Sequence, residues 1–188
     1  SDPTRDTPNL QFHIQPISTD KLGGANLHDF HAFTPTVANI RPTSRGEITI
    51  NSSDSRVNPK IKMNYLSTDE DRKVAADGIK LIRKIVMETD EFKKYEPQEF
   101  RPGDHIQDRE EIVKACSHYA QTIFHPVGTC KMGSDNDAVV SDELKVHGID
   151  NLRVIDASIM PNITSGNTNA PTIMTVSYTH LRAHETAV

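Results

Sequence analysis

Tryptophan is absent from this 188-residue sequence, and aromatic residues make up only 5% of it. A cage for a quaternary ammonium, which binds through aromatic ring faces, has few residues here to be built from. Cysteine occurs twice, as Cys116 and Cys130, far from any C-x-x-C spacing. That supports neither a disulfide scaffold nor a zinc site, and a reducing compartment is the default. Lys and Arg nowhere cluster, and the net charge is −5, which argues against a nucleic-acid surface. No apolar run approaches the ~20 residues of a membrane span, and no secretory signal precedes the first strand-like segment. The expected location is cytoplasmic, with membrane association left open. A G-x-G-x-x-G turn, which cradles the pyrophosphate of a dinucleotide, does not occur. There is no internal repeat. The sequence opens at Ser1 without an initiator Met, which fits a fragment or a processed product.

The polarity of what remains is ordinary for a globular chain, with 35% apolar and 25% charged residues. Leu10–Ile17 alternates, with Leu10, Phe12 and Ile14 against Gln11, His13 and Gln15, and reads as a half-buried strand. Lys21–His28 holds Gly23-Gly24 and reads as a loop. Asp29–Ile40 is strand-like, with Phe30, Ala32 and Val37 on the packed side. Glu47–Asn51 is a short strand with Ile48 and Ile50 on one face. Ser67-Thr68-Asp69-Glu70 forms a capping box, after which Val74, Leu81, Ile82, Ile85 and Val86 share one helical face. A second helix starts at Asp108, with Glu111 at its third position and Ile112, Ala115, Cys116 and Tyr119 facing inward. Leu152–Ile155 reads as a short buried strand.

Three later segments carry chemistry. The first is His125-Pro126-Val127-Gly128-Thr129. Pro126 keeps His125 out of helix, and Gly128 permits a tight turn, so the imidazole is held by a constrained loop. Such a histidine can serve as a base near neutral pH, or be a structural side chain bonded to backbone. The second is Asp156-Ala157. It either meets a cofactor, with Ala157 letting the ligand approach the backbone, or uses Asp156 to cap the turn at Ser158. The third is Ser165-Gly166-Asn167-Thr168-Asn169-Ala170-Pro171-Thr172, a loop feeding a helix. Its N-terminus offers free N–H groups and partial positive charge. His28-x-x-His31 reads as a solvated or structural pair, not a metal site. His180 and His184, four apart, carry little weight, because the stretch from about Thr175 onward has no apolar stripe and resembles an adaptor-derived tail.

These blocks, HPVGTCKMG, AVVSDELKVHGIDNLRVIDASIMP and SGNTNAPTIM, in this order, resemble the C-terminal signature of the glucose–methanol–choline (GMC) family of flavin-dependent alcohol oxidoreductases, in its choline dehydrogenase-like branch. The resemblance implies an α+β fold: an antiparallel-sheet substrate-binding domain over residues 1–124, with flanking helices. Residues 125–174 would supply the active-site loop and terminal elements of a Rossmann-like FAD domain, and residues 175–188 a non-native tail. It further implies that the cofactor is FAD and that the reaction oxidises a primary alcohol to an aldehyde. His125 would be the base and Asn167 the second catalytic residue, orienting the substrate oxygen with its amide. Asp156, Ala157, Thr168, Asn169, Pro171 and Thr172 would contact the cofactor. The N-terminal FAD-binding part would be the missing partner, with oxygen or a quinone as electron acceptor. A hydroxynitrile lyase of the same family and a non-catalytic binding module are the alternatives.

Overall fold

A computed structural model describes residues 2–20 and 26–185, with side chains described up to Tyr178; the Gly23-Gly24 loop and the side chains of His180 and His184 lie outside these. The chain mixes helices with small antiparallel sheets, the α+β class expected. It forms two compact units, neither continuous in sequence: residues 1–39 with 68–121, and residues 40–67 with 122–188.

In the first unit, β1 (Leu10–Gln15) pairs antiparallel with β2 (Thr34–Asn39), Phe12 opposite Val37. The strand begun at Asp29 by sequence is shorter in the structure. Phe30 stays outside it, 48% exposed, and stacks on His28 with ring centroids 5.1 Å apart. The sheet packs on α1 (Asp69–Glu88), where Gly78 meets Val37: a Cβ at Gly78 would lie 3.0 Å from the Val37 methyls. The glycine weakens the helix by about 1 kcal/mol and in return admits the strand. Phe12 shares a face with Val37, yet Phe12 and Ile14 remain exposed, so that face is only partly covered.

The α1 cap sits one residue later than the expected capping box. Thr68, not Ser67, is the N-cap, and its hydroxyl accepts from the Asp71 N–H at 3.3 Å. Asp71 is buried and accepts from the Asn39 amide at 3.2 Å, which ties the helix start to β2. Val74 is buried and Leu81, Ile82 and Val86 half-buried, whereas Ile85 faces outward. A short helix, α2 (Asp90–Lys93), follows. The third helix, α3 (Arg109–Tyr119), starts as expected: Asp108 Oδ1 accepts from Glu110 N at 2.8 Å and Glu111 N at 3.2 Å. Ile112, Val113 and Ala115 are buried against α1, but Tyr119 is 52% exposed and does not face inward as the sequence suggested. It takes the Arg101 guanidinium over its ring instead, at 5.3 Å. Between α2 and α3, Arg83 from α1 anchors the loop, bonding both Glu99 carboxylate oxygens and the carbonyls of Gly103 and Ile106.

In the second unit, β3 (Glu47–Thr49) pairs antiparallel with β4 (Lys60–Lys62), a partner the sequence did not announce. Among the described residues the strands thus form two two-stranded antiparallel ribbons. The core is Val140, Leu144, Ile159 and Met160, with Val127, Met132 and Val154 packed around it. Leu152–Ile155 makes one isolated bridge, Lys145 with Arg153, and Leu152 is 46% exposed. The expected buried strand is thus an extended segment with bridge pairing on one side; a two-sided parallel strand needs neighbours on both. The last helix, α4 (Asn169–Glu185), continues past Thr175, with Ile173, Met174, Val176 and Tyr178 exposed. Among the described residues no helix is long and apolar enough to cross a membrane.

Candidate active site

Three backbone constraints hold the His125 loop. Phe124 has φ of 64°, a left-handed conformation costly for an aromatic residue, on the order of 1–3 kcal/mol. Its N–H donates to the Thr122 hydroxyl at 3.1 Å, which helps retain it. Pro126 follows the histidine. Gly128 has φ of 90°, and a Cβ there would stand 3.3 Å from the Met160 carbonyl oxygen. Glycine is required here both for its conformation and for the close approach to the second chemical block.

That approach becomes a short ladder. Cys130 N–H donates to Ser158 O at 3.0 Å, and Met132 N–H to Ile159 O at 2.8 Å. Ile159 and Met160 are buried in the core on which Val127 packs, so the first and second blocks are joined by backbone bonds and by burial. Asp156 does what the simpler sequence reading held: its Oδ1 accepts from Ser158 N at 2.7 Å and caps a 3-10 turn over Ala157–Ile159. Asp156 is exposed nonetheless, and it lines a cleft of about 280 Å³ together with Ile48, Pro126, Val127, Thr129, Ala157 and Ser158. A second cleft, of about 450 Å³, is lined by Met63, Tyr65, Thr122, Phe124 and Pro126. Pro126 borders both.

The third block meets the first through a side-chain bond. His125 Nδ1 and Thr168 Oγ1 are 3.0 Å apart, and Thr168 is buried. Ser165 and Gly166, with φ of 62° and 154°, turn the chain into the start of α4. The Thr168 carbonyl accepts the first helical bonds, from Thr172 N at 3.0 Å and Thr172 Oγ1 at 2.7 Å. Asn167, Asn169 and Ala170 are exposed around this helix start, while Pro171 and Thr172 are half-buried. Between the first two blocks, Asp135 has its carboxyl held below the usual range by the Lys131 ammonium, at 2.9 Å, and then by the Asp137 N–H.

Of the residues singled out by sequence, His125 and Thr168 are in direct contact, and Asp156 and Ala157 share a cleft with the residues following His125. Three features escaped the sequence reading: the Thr168 bond, the left-handed Phe124, and the contribution of Met63 and Tyr65 to the second cleft. A threonine just before a helix has its cap as the default role, and Met63 and Tyr65 precede His125 by some sixty positions. His28 bonds Ser18 at 2.9 Å and Asp20 at 3.2 Å, and His31 is exposed. Among the described residues no group of three potential metal ligands comes together.

Oxygen-dependent choline dehydrogenase of Pseudomonas fluorescens is 41% identical over 172 residues, covering 92% of this chain and 30% of that protein. The enzyme of the same name from Citrobacter koseri is 44% identical over 167 residues, covering 89% and 30%. The chain thus spans about 30% of the length of the curated relatives it matches. Among solved structures, pyridoxine 4-oxidase from Mesorbium loti superposes with a TM-score of 0.77 at 30% identity, over 85% of this chain and 31% of that one. A variant of formate oxidase from Aspergillus oryzae, made to test the effect of a mutation on FAD modification, gives 0.70 at 30% identity, over 79% and 26%. The sequence profile of GMC oxidoreductases matches residues 42–175, which take in all three chemical blocks; the chain belongs to the GMC oxidoreductase family.

Proposed function

We propose that this chain supplies the base-bearing C-terminal part of an FAD-dependent enzyme that oxidises a primary alcohol to an aldehyde. The observation that carries the reading is the convergence of the three blocks, through the Gly128–Met160 approach and the His125–Thr168 bond. His125 takes the hydroxyl proton of the alcohol. Asn167, which cannot act as a base, donates its amide N–H to the substrate oxygen. The rigid loop holds the imidazole at one place, and such positioning is itself worth several kcal/mol of barrier.

The chain fits part of a flavin dinucleotide. The cleft beside Ala157 has mostly apolar walls and a carboxylate at its edge, and the exposed start of α4 offers N–H groups suited to an electron-rich ring edge. Asp156, Ala157, Asn169, Pro171 and Thr172, with Thr168 beside them, would hold the group. When bound, the flavin supplies the acceptor for the hydride of the alcohol. The rest of its site would come from an N-terminal FAD-binding part of the same enzyme, a reading supported by the chain's spanning about 30% of the length of its relatives.

The test is anaerobic mixing of the flavin-loaded protein with primary alcohols. Bleaching of the flavin by an alcohol, lost in His125→Ala with flavin retained, is the expected result. Unbleached flavin together with cleavage of a hydroxynitrile would move the protein to the lyase branch, and near-normal turnover in His125→Ala would remove the base assignment.

A further inference from the structure

Thr168 has two claims on its hydroxyl. It stands at the N-cap of α4, since its carbonyl accepts from Thr172 N. An N-cap side chain ordinarily accepts from the second or third helical N–H. With Asn169 first in the helix, the third position is Pro171, which has no N–H. One of the two usual partners is therefore missing from the sequence, and the buried hydroxyl stands 3.0 Å from His125 Nδ1.

A hydroxyl can bond this nitrogen in two ways. If it donates to Nδ1, the neutral ring carries its proton on Nε2, and that nitrogen has no lone pair to offer. If it accepts from Nδ1–H, the Nε2 lone pair is free. We infer that Thr168 is a positioning residue that accepts from His125 Nδ1–H and so fixes the tautomer in which Nε2 can receive a proton. The inference rests on the reading of His125 as the proton acceptor. It also gives the bond a direction of change. When Nε2 gains a proton the ring becomes cationic, and the Nδ1–H bond to Thr168 becomes charge-assisted and roughly twice as strong. Thr168 thus favours the protonated ring more than the neutral one without touching the substrate.

The test reads the ring nitrogens directly. With 15N-histidine labelling, above the imidazole titration range, two-bond proton–nitrogen correlation separates the tautomers, and the signal lost in His125→Gln identifies the ring. Wild-type protein should show His125 protonated on Nδ1. Thr168→Val, which keeps the shape and removes the acceptor, should shift the tautomer ratio toward Nε2–H by roughly five-fold, the worth of one ordinary hydrogen bond. Thr168→Ser should restore it. In the flavin-loaded protein Thr168→Val should lower kcat by a similar factor with KM little changed, again restored by serine. A wild-type ring protonated on Nε2 overturns the inference with no variant needed, and so does a ratio unchanged in Thr168→Val. If the ratio shifts while His125→Gln keeps its turnover, the tautomer assignment stands and the base reading fails.

Discussion

Removal of the Arg83 guanidinium should be among the most damaging changes to the first unit. Arg83 Nε and Nη2 bond the two Glu99 oxygens at 2.8 and 2.9 Å, while Nη1 bonds Ile106 O at 2.8 Å and Nη2 also bonds Gly103 O at 3.0 Å. The two side chains are 14% and 13% exposed. In Arg83→Met the apolar stem survives, but Glu99 keeps only the Gly103 N–H, 3.1 Å away, and two carbonyls lose a donor. Stranding a mostly buried carboxylate costs about 3–5 kcal/mol. With a urea m-value of about 2 kcal/mol/M, a 3 kcal/mol loss lowers the unfolding midpoint by about 1.5 M. The double variant Arg83→Met/Glu99→Leu should recover part of that loss, because no unpaired charge remains buried. A loss below about 1 kcal/mol in Arg83→Met, or a double variant that costs the full sum of the singles, would refute the reasoning.

Gly128→Ala should destabilise the protein by about 1–2 kcal/mol from backbone handedness alone, with the Met160 carbonyl crowding in addition; thermal melts check the first effect. If the His125 loop shifts to relieve the crowding, kcat should fall on the order of 100-fold, and a variant that melts normally with full turnover would contradict the site geometry. Burial pushes the Cys116 thiol above its ordinary titration range, so alkylation at pH 8 should be several-fold slower in the folded chain than in urea, as followed by mass spectrometry; equal rates would count against the packing of α3. Asp20 has its carboxyl lowered from 3.8 by the Arg101 and then the His28 hydrogen bond. Its contribution to stability is therefore full above about pH 4 and lost as pH falls through the lower folded value, and Asp20→Asn should flatten the acid limb of the unfolding profile.

Local signals were legible where chemistry and geometry are both local. Asp108 announced its helix because a carboxylate two and three residues before free amides has an obvious partner. The His125-Pro126 and Gly128 positions announced a constrained loop for similar reasons. The failures lie where the partner is distant. Glu47–Thr49 needed Lys60–Lys62, and nothing in the alternation of either segment encodes the other. Ser67 and Thr68 are equally good caps by type; the structure uses the Ser67 N–H to bond the Ser44 hydroxyl at 3.0 Å, twenty-three residues away in sequence, and Thr68 takes the cap. Leu152–Ile155 looked buried because its residues are apolar, but apolar composition does not supply two neighbouring strands. The second cleft could not be read at all, since it joins residues around Met63 with those around Phe124.

The interleaving of the two compact units bears on inheritance. The chain passes from one unit to the other at residues 39/40, 67/68 and 121/122. A single exchange of genetic material within this stretch, between two related enzymes, would leave at least one unit assembled from both parents. Only an exchange that avoids the stretch between Glu47 and His125 transmits the histidine loop together with the ribbon at Glu47–Lys62 that belongs to the same unit. Variation in this part of the family should therefore accumulate by substitution and by loop change, while shuffling of whole blocks should be confined to its borders.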